Sequence, residues 1–194
     1  MRHPTLDIIH DEHQALAAML RSLSMLLAQS RRENRLPDFE VLRAMLFYID
    51  EFPERLHHPK ESELLFPVVA ARCPELAPVI ARLDKDHAAG ERAVRDLQHA
   101  LLAFEMMGEV RRVAFEQAAE RYIRAYLEHM AIEEQDILPA ARRTLKPEDW
   151  APLDKAFAAH ADPLTGHPAQ PDYAPLFQRI LMHAPAPVGL GPAA

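Results

Sequence analysis

A single cysteine, Cys73, stands among 194 residues, so an internal disulfide is excluded and converging thiolates for an iron–sulfur or zinc–thiolate site are missing. Glycine is scarce, at five residues, while Ala, Leu, Glu and Arg are plentiful; that balance favours helix. Basic blocks are absent beyond Arg31-Arg32 and Arg142-Arg143, and acids interspersed with bases leave a net charge of −7. Nucleic acid is therefore not an expected partner. No apolar run approaches the roughly 18 residues of a membrane span, and Met1-Arg2-His3-Pro4-Thr5 does not open a signal peptide. A cytoplasmic protein with no membrane partner is expected.

What is present is helical periodicity. Thr5, after Pro4, reads as a helix N-cap with Asp7 in the first turn. Leu6, Ile9, His13, Leu16, Leu20, Leu23 and Leu27 then recur at steps of three and four, which places them on one helical face with His13 among them. A second helix is expected from about Asp38 to about Arg72, where Leu42, Leu46 and Ile49 lead to His57. Pro53 and Pro59 fall inside it, so a kink or local break is expected there. A third helix starts near Glu75 and stops at Gly108, with Ile80, Leu83, His87, Gly90, Val94, Leu97 and Leu101 on its face. The fourth spans about Glu109 to Leu145 and aligns Phe115, Ala119, Tyr122, Tyr126, His129 and Glu133. Lys146-Pro147-Glu148-Asp149 then opens a short fifth helix towards His160, and Tyr173 to His183 can form one more.

The chain repeats itself. His57-His58-Pro59-Lys60-Glu61 with Leu64-Leu65-Phe66-Pro67 returns seventy-two residues later as His129-Met130-Ala131-Ile132-Glu133 with Asp136-Ile137-Leu138-Pro139, and His87 takes the place of His13. Two related helical hairpins follow, and the fold class is all-α: an antiparallel up-down four-helix bundle with a short helical extension. Residues 1–145 form the bundle, 146–183 the extension and 184–194 a disordered tail. Trp150, Phe157, Tyr173 and Phe177 are expected either to cover one end of the bundle or to pack against another chain.

Residues four apart share a helix face, so His57 with Glu61 and His129 with Glu133 can address one cluster, joined by His13 and His87. Nitrogen and oxygen donors suit iron, manganese or zinc. Six donors exceed a four-coordinate structural zinc site, whereas two metals, each with two histidines and sharing two bridging glutamates, use all six. A solvent-derived oxygen bridge would complete five donors per metal and leave one position open for a small molecule. His58, about 100° round the helix from His57, is expected at the surface or in a supporting position; Glu63 and Glu134 read as solvated charges.

The order His, His-x-x-x-Glu, His, His-x-x-x-Glu over Leu6 to Pro139 resembles the hemerythrin-like proteins with an HHE cation-binding domain. The resemblance implies a four-helix bundle with a non-haem, oxo- or hydroxo-bridged centre of two Fe ions. His13, His57, His87 and His129 would be terminal ligands, Glu61 and Glu133 bridging ones. Oxygen-carrying members have a further histidine one turn beyond the first on the third helix, where Glu91 stands here, and an aspartate five residues after the last histidine rather than Glu133 four after it. That departure puts reversible oxygen carriage in doubt.

No catalytic residue is assigned, but four positions are candidates for support. Tyr126 is placed to hydrogen-bond a bound ligand or to pack, and Glu54 to orient an imidazole or face water. Glu91 is a possible seventh ligand or a supporting or solvated group, and Gly90 is expected to line the open coordination position. The expected small-molecule partner is dioxygen, nitric oxide or hydrogen peroxide. Binding or sensing, peroxide removal of a catalase or peroxidase kind, and iron buffering all remain open readings, and the sequence names no protein partner.

Overall fold

The computed structural model describes residues 3–159 and 162–191, and the fold is all-helical, with no strand among these residues. Helix α1 (Pro4–Arg32) has His3 as N-cap without a side-chain cap bond. Thr5 is not the cap: buried within the first turn, it donates both its N–H (3.0 Å) and its hydroxyl (2.6 Å) to Asp154 Oδ1, so a carboxylate from far along the chain closes this end. A left-handed Asn34 turns the chain, and Asp38 caps the next helix by accepting the N–H groups of Glu40 and Val41.

The second rod runs without a break from α2 (Phe39–Ile49) through α3 (His58–Lys60) to α4 (Phe66–Arg72). Between these lie π-helical turns at Asp50–His57 and Glu61–Leu65. A short 3-10 turn at Pro74–Leu76 leads to α5 (Ala77–Met107), ended by Gly108 at φ 70. The fourth rod comprises α6 (Arg112–Ile132), a π turn at Glu133–Ile137 and α7 (Leu138–Thr144).

Every π turn ends two residues before a proline: Pro59, Pro67 and Pro139. The intervening residue donates its N–H five residues back, His58 to the Pro53 carbonyl, Phe66 to Glu61 and Leu138 to Glu133. In an α-helix a proline ring collides with the carbonyl four residues earlier. One extra residue in the turn relieves that collision, so near Pro59, where a kink or local break is expected, the departure from the α-helix takes the form of wider turns.

Two apolar clusters flank a polar layer. One gathers Leu6, Ile9, Leu65, Phe66, Ile80, Leu83, Ile137 and Trp150; the other gathers Leu16, Leu20, Leu42, Leu46, Val94, Leu97, Phe115 and Tyr122. From α1 to the second rod to α5 to the fourth rod, the order in which the chain crosses the two clusters reverses each time. The histidines and glutamates of the repeats lie at the crossing point of each.

The extension holds on at several levels. Helix α8 (Pro147–Ala158) brings Trp150, Leu153 and Phe157 into the first cluster, and Asp149 pairs with Arg72 through two 3.0 Å bonds. Of Trp150, Phe157, Tyr173 and Phe177, all four pack on this same chain, the last two beside Tyr48 and Phe52. His160, towards which the fifth helix is expected to run, lies outside the described residues. Helix α9 (Ala174–His183) contributes Phe177 and Ile180 to the second cluster. Beyond it, in the stretch expected to be a disordered tail, Ala184 is buried and Ser22 Oγ donates to the Pro185 carbonyl at 2.9 Å; residues 192–194 lie outside the described residues. No described helix is long and apolar enough to cross a membrane.

Candidate metal centre

The polar layer holds His13, His57, Glu61, His87, His129 and Glu133, all buried. The ligand atoms of His13, His57 and Glu61 lie within 4.8 Å of one another, as do those of Glu61, His87, His129 and Glu133. Glu61 spans the two groups, with Oε1 3.2 Å from His57 Nε2 and Oε2 3.5 Å from His87 Nε2. Glu133 does the same from the opposite side: Oε2 is 3.2 Å from His13 Nε2, and Oε1 is 3.2 Å from His129 Nε2 and 3.8 Å from His87 Nε2.

The π turns explain why both glutamates can point inward. Each one opens a π turn, at positions repeated seventy-two residues apart, and the carbonyl of each accepts the N–H five residues on. The proline that follows the repeat thus shapes the turn that begins at the carboxylate.

The outer ring nitrogens are held from behind. His57 Nδ1 is 2.6 Å from Glu12 Oε2, His13 Nδ1 3.3 Å from Glu134 Oε1, and His87 Nδ1 2.9 Å from Ser62 Oγ. His129 Nδ1 has Asp86 Oδ2 at 3.7 Å, beyond a hydrogen bond. A carboxylate on Nδ1 fixes the proton there and turns the Nε2 lone pair inward, which is how metal-binding imidazoles are oriented. Glu134 is therefore not merely a solvated charge, whereas Glu63 is exposed. Glu91 is exposed too and accepts from Arg95 at 2.6 Å, away from the layer.

His58 departs from the helical-wheel expectation. It is buried, its Nδ1 lies 3.1 Å from Glu54 Oε2, and its ring stacks on His87 with centroids 4.1 Å apart. The π turn ahead of it is wider than an α turn, which narrows the angle between neighbouring side chains and lets His57 and His58 both face inward. Glu54 also accepts from Tyr122 at 2.9 Å and from Tyr126, so Tyr126 bonds a carboxylate rather than the centre of the layer. Gly90 makes room for that contact. A Cβ there would overlap Tyr126 Oη and sit 3.0 Å from Glu54 Oε1. Gly90 lines a groove of about 440 Å³ between α5 and α6 that reaches His87, His129, Tyr122 and Tyr126.

A separate cavity of about 20 Å³ touches the layer itself. Its walls include Glu12, His13, Leu16, His57, His58, His129, Met130 and Asp162. That volume suits one water or a diatomic molecule.

Burial and neighbouring charges set the protonation of the layer. Burial lowers the His13 pKa, but the Glu133 and Glu134 carboxylates beside the ring outweigh it and push the value up to about 9. Burial also works against ionised Glu133, yet His129 and His13 hold its carboxyl well below the usual range. Burial and the charge of Glu133 push Glu61 up. Burial, with the neighbouring imidazoles, keeps His58 and His87 neutral. Protons shared between imidazoles and carboxylates thus supply the positive charge that the layer needs.

The unsatisfied atoms of the layer show what its donor set fits. Both oxygens of Glu61, both of Glu133 and His57 Nε2 are buried without a hydrogen-bond partner, and His87 Nε2 faces His129 Nε2 at 2.9 Å. An ionised carboxylate stripped of hydrogen bonds costs several kcal/mol unless a cation meets it. Nitrogen and carboxylate donors of this kind fit iron, manganese or zinc. The family model of the hemerythrin HHE cation binding domain matches residues 5–141.

The chain belongs to that family. No curated protein sequence matches it. The hemerythrin HHE domain is a cation-binding domain, and the matched segment includes all six residues of the layer.

Three supporting contacts escaped the sequence. Glu12, Ser62 and Glu134 act across helices on imidazoles carried by other segments, and periodicity within one helix carries no such signal.

Proposed function

We propose that this hemerythrin domain, an antiparallel four-helix bundle over residues 1–145 with residues 146–183 packed on it, holds two iron ions and uses them to bind and react with a small oxidant or gas: dioxygen, nitric oxide or hydrogen peroxide. His13 and His57 would hold one ion and His87 and His129 the other, with Glu61 and Glu133 bridging. The observation that carries this reading is the pair of buried carboxylates whose four oxygens lack hydrogen bonds and lie between imidazoles of different helices. Two iron ions would supply reversible binding and one-electron chemistry for such a molecule.

The chain's own residues define what can reach that chemistry. The cavity of about 20 Å³ beside the layer has room for a molecule about the size of water, which suits a small ligand. Leu16 and Met130 give it an apolar wall, which favours uncharged ligands over anions. Glu12 and Glu134 fix the imidazoles of His57 and His13, keeping their Nε2 atoms inward when the oxidation state changes.

One feature favours peroxide consumption as a second reading. Glu12 and Asp162 line the same cavity, and burial pushes the Asp162 pKa up to about 6, so that it can hold a proton near neutrality and return it to a departing oxygen.

Anaerobic iron-loaded protein, mixed separately with dioxygen, nitric oxide and hydrogen peroxide, tests both. A stable adduct that releases its gas intact supports binding or sensing, and many turnovers of peroxide with release of oxygen support the enzyme. About two irons per chain, lost in Glu61→Ala and in Glu133→Ala, are expected. One ion in a tetrahedral site, or none, would overturn the diiron reading.

A further inference from the structure

Two buried phenols beside the layer have no part in the reading above. Tyr122 donates its hydroxyl to Glu54 Oε1 at 2.9 Å, and Tyr126 donates to the same oxygen. Their rings stack with centroids 4.6 Å apart, and the Tyr126 ring lies 6.1 Å from that of His129. Both tyrosines also line the groove of about 440 Å³ between α5 and α6, a volume in the range of sites for small organic molecules. Gly90 leaves room for the Tyr126 hydroxyl, and Ala89, Ala93, Ala118 and Ala125 keep the groove open beside the rings. Tyr48 offers the contrast. It too is buried and donates to an acid, Asp162, but its ring packs on Phe52 and Phe177 and does not line that groove. A buried phenol needs one acceptor; two phenols that share one carboxylate oxygen, between an imidazole of the layer and an open groove, form a path.

We propose that Tyr126 and Tyr122 form an electron relay from the groove to the layer, with Glu54 as the acceptor of the phenolic proton and a small phenolic reductant as the occupant of the groove. The relay rests on the diiron reading above. Hydrogen peroxide takes two electrons and two protons to become two waters, and a centre with only one ferrous iron has a single electron to give. Tyr126 supplies the other. The iron becomes ferric, the Tyr126 hydroxyl passes its proton to Glu54 Oε1 as it loses an electron, and solvent provides the two protons that peroxide consumes. A hydroquinone beside the rings then returns an electron through Tyr122, while Glu54 gives Tyr126 its proton back. Two such returns oxidise one hydroquinone to quinone, its two protons leaving to water at the open side of the groove. The stacked rings carry the electron, and the shared carboxylate keeps the phenolic proton within reach.

Freeze-quench electron paramagnetic resonance reads the relay directly. The ferrous-loaded chain, titrated anaerobically with one oxidising equivalent per centre and then mixed with hydrogen peroxide, is expected to give a tyrosyl signal that changes shape when the tyrosines are ring-deuterated. The chain has four tyrosines, so the signal can be assigned by substitution. It is expected to persist in Tyr48→Phe/Tyr173→Phe and to vanish in Tyr126→Phe; should Tyr126→Phe fail to fold, the first variant alone confines the signal to the pair. Loss of the signal in Tyr48→Phe/Tyr173→Phe, or its persistence in Tyr126→Phe, would overturn the assignment. Glu54→Gln is expected to lower the radical yield about tenfold or more, since an amide cannot take the proton, and an undiminished yield would remove Glu54 as acceptor. Added hydroquinone is expected to speed decay of the signal, and Ala125→Leu, a change at an exposed wall of the groove, to cut that acceleration by about tenfold. Equal acceleration in both chains would place the reductant elsewhere. A chain that holds two irons and is oxidised by peroxide without any tyrosyl signal overturns the relay and leaves the diiron reading standing. A chain that binds no iron overturns both.

Discussion

At the scale of single residues, Glu54 shows how closely the support of the layer is packed. Two oxygens serve three donors, from Tyr122, Tyr126 and His58, inside a space in which a Cβ at Gly90 would meet both the Tyr126 hydroxyl and the Glu54 carboxylate. Gly90→Ala gains about 1 kcal/mol of helix propensity and loses about 1–3 kcal/mol to overpacking. Thermal unfolding is expected at a lower temperature in Gly90→Ala, with recovery in Gly90→Ala/Tyr126→Phe, where the clashing oxygen is gone. Additive effects in this double-mutant cycle would show that the contact does not matter. None of this was readable from the one-helix pattern. Gly90 stands on the core face of its helix, which the periodicity shows, but what fills the space comes from the opposite rod.

At the scale of elements, the repeat was legible and its geometry was not. His13, His57, His87 and His129 with Glu61 and Glu133 emerge from steps of three, four and seventy-two, because a buried helical stripe must repeat in that way. The inward turn of His58 did not emerge, because a helical wheel assumes an α turn at every residue, and here the register changes at three prolines. Pro67 and Pro139 each close a π turn that begins at a layer glutamate. Pro67→Ala restores an N–H and removes the ring, so the α register becomes accessible and competes with the π turn. Iron affinity is expected to fall by about tenfold or more in Pro67→Ala and in Pro139→Ala, as for loss of an orienting group, while helical circular dichroism is retained. Unchanged iron titrations in both variants would show that the layer, not the proline, sets the turn.

For the whole molecule, the extension and the bundle form one packed unit, tied at Thr5–Asp154, Arg72–Asp149, Tyr173–Glu51 and Tyr48–Asp162. The last tie is pH-sensitive. Burial raises Asp162 from 3.8 to about 6, opposed by hydrogen bonds from Tyr48 and the Leu164 N–H, with Glu12 and His57 facing it and Lys60 interacting with the same acids. A carboxyl with a raised folded pKa contributes stability that is complete below its unfolded value and is lost as pH rises through about 6. Limited proteolysis should therefore release the extension more readily at pH 8 than at pH 5. Tyr48→Phe, which strips a buried acceptor of its donor at a cost of about 1–3 kcal/mol, should increase release at both. Equal cleavage at the two pH values would discount Asp162 as a tie. The all-helical build was legible because each long segment carries its own apolar stripe. The attachment of the extension was not, since contacts such as Thr5 with Asp154 join distant parts of the chain through groups that have no local pattern.

The polar layer between the two apolar clusters also bears on cooperativity. Apolar contacts normally couple the whole of a small domain so that it melts as one unit, but here that coupling is interrupted across the full width of the bundle. Without metal, the interruption is a plane of poorly satisfied acids and imidazoles, and either half can loosen while the other holds. An ion that binds only the folded layer adds RT ln(1 + [L]/Kd) of stability at that plane and joins the halves mechanically. Differential scanning calorimetry is expected to give a broad or split transition for the metal-free chain and a single sharp one at higher temperature after iron loading. Cluster residues such as Ile9 and Leu20 are then expected to report different midpoints only in the metal-free state, the bound cation being what pins the two halves together.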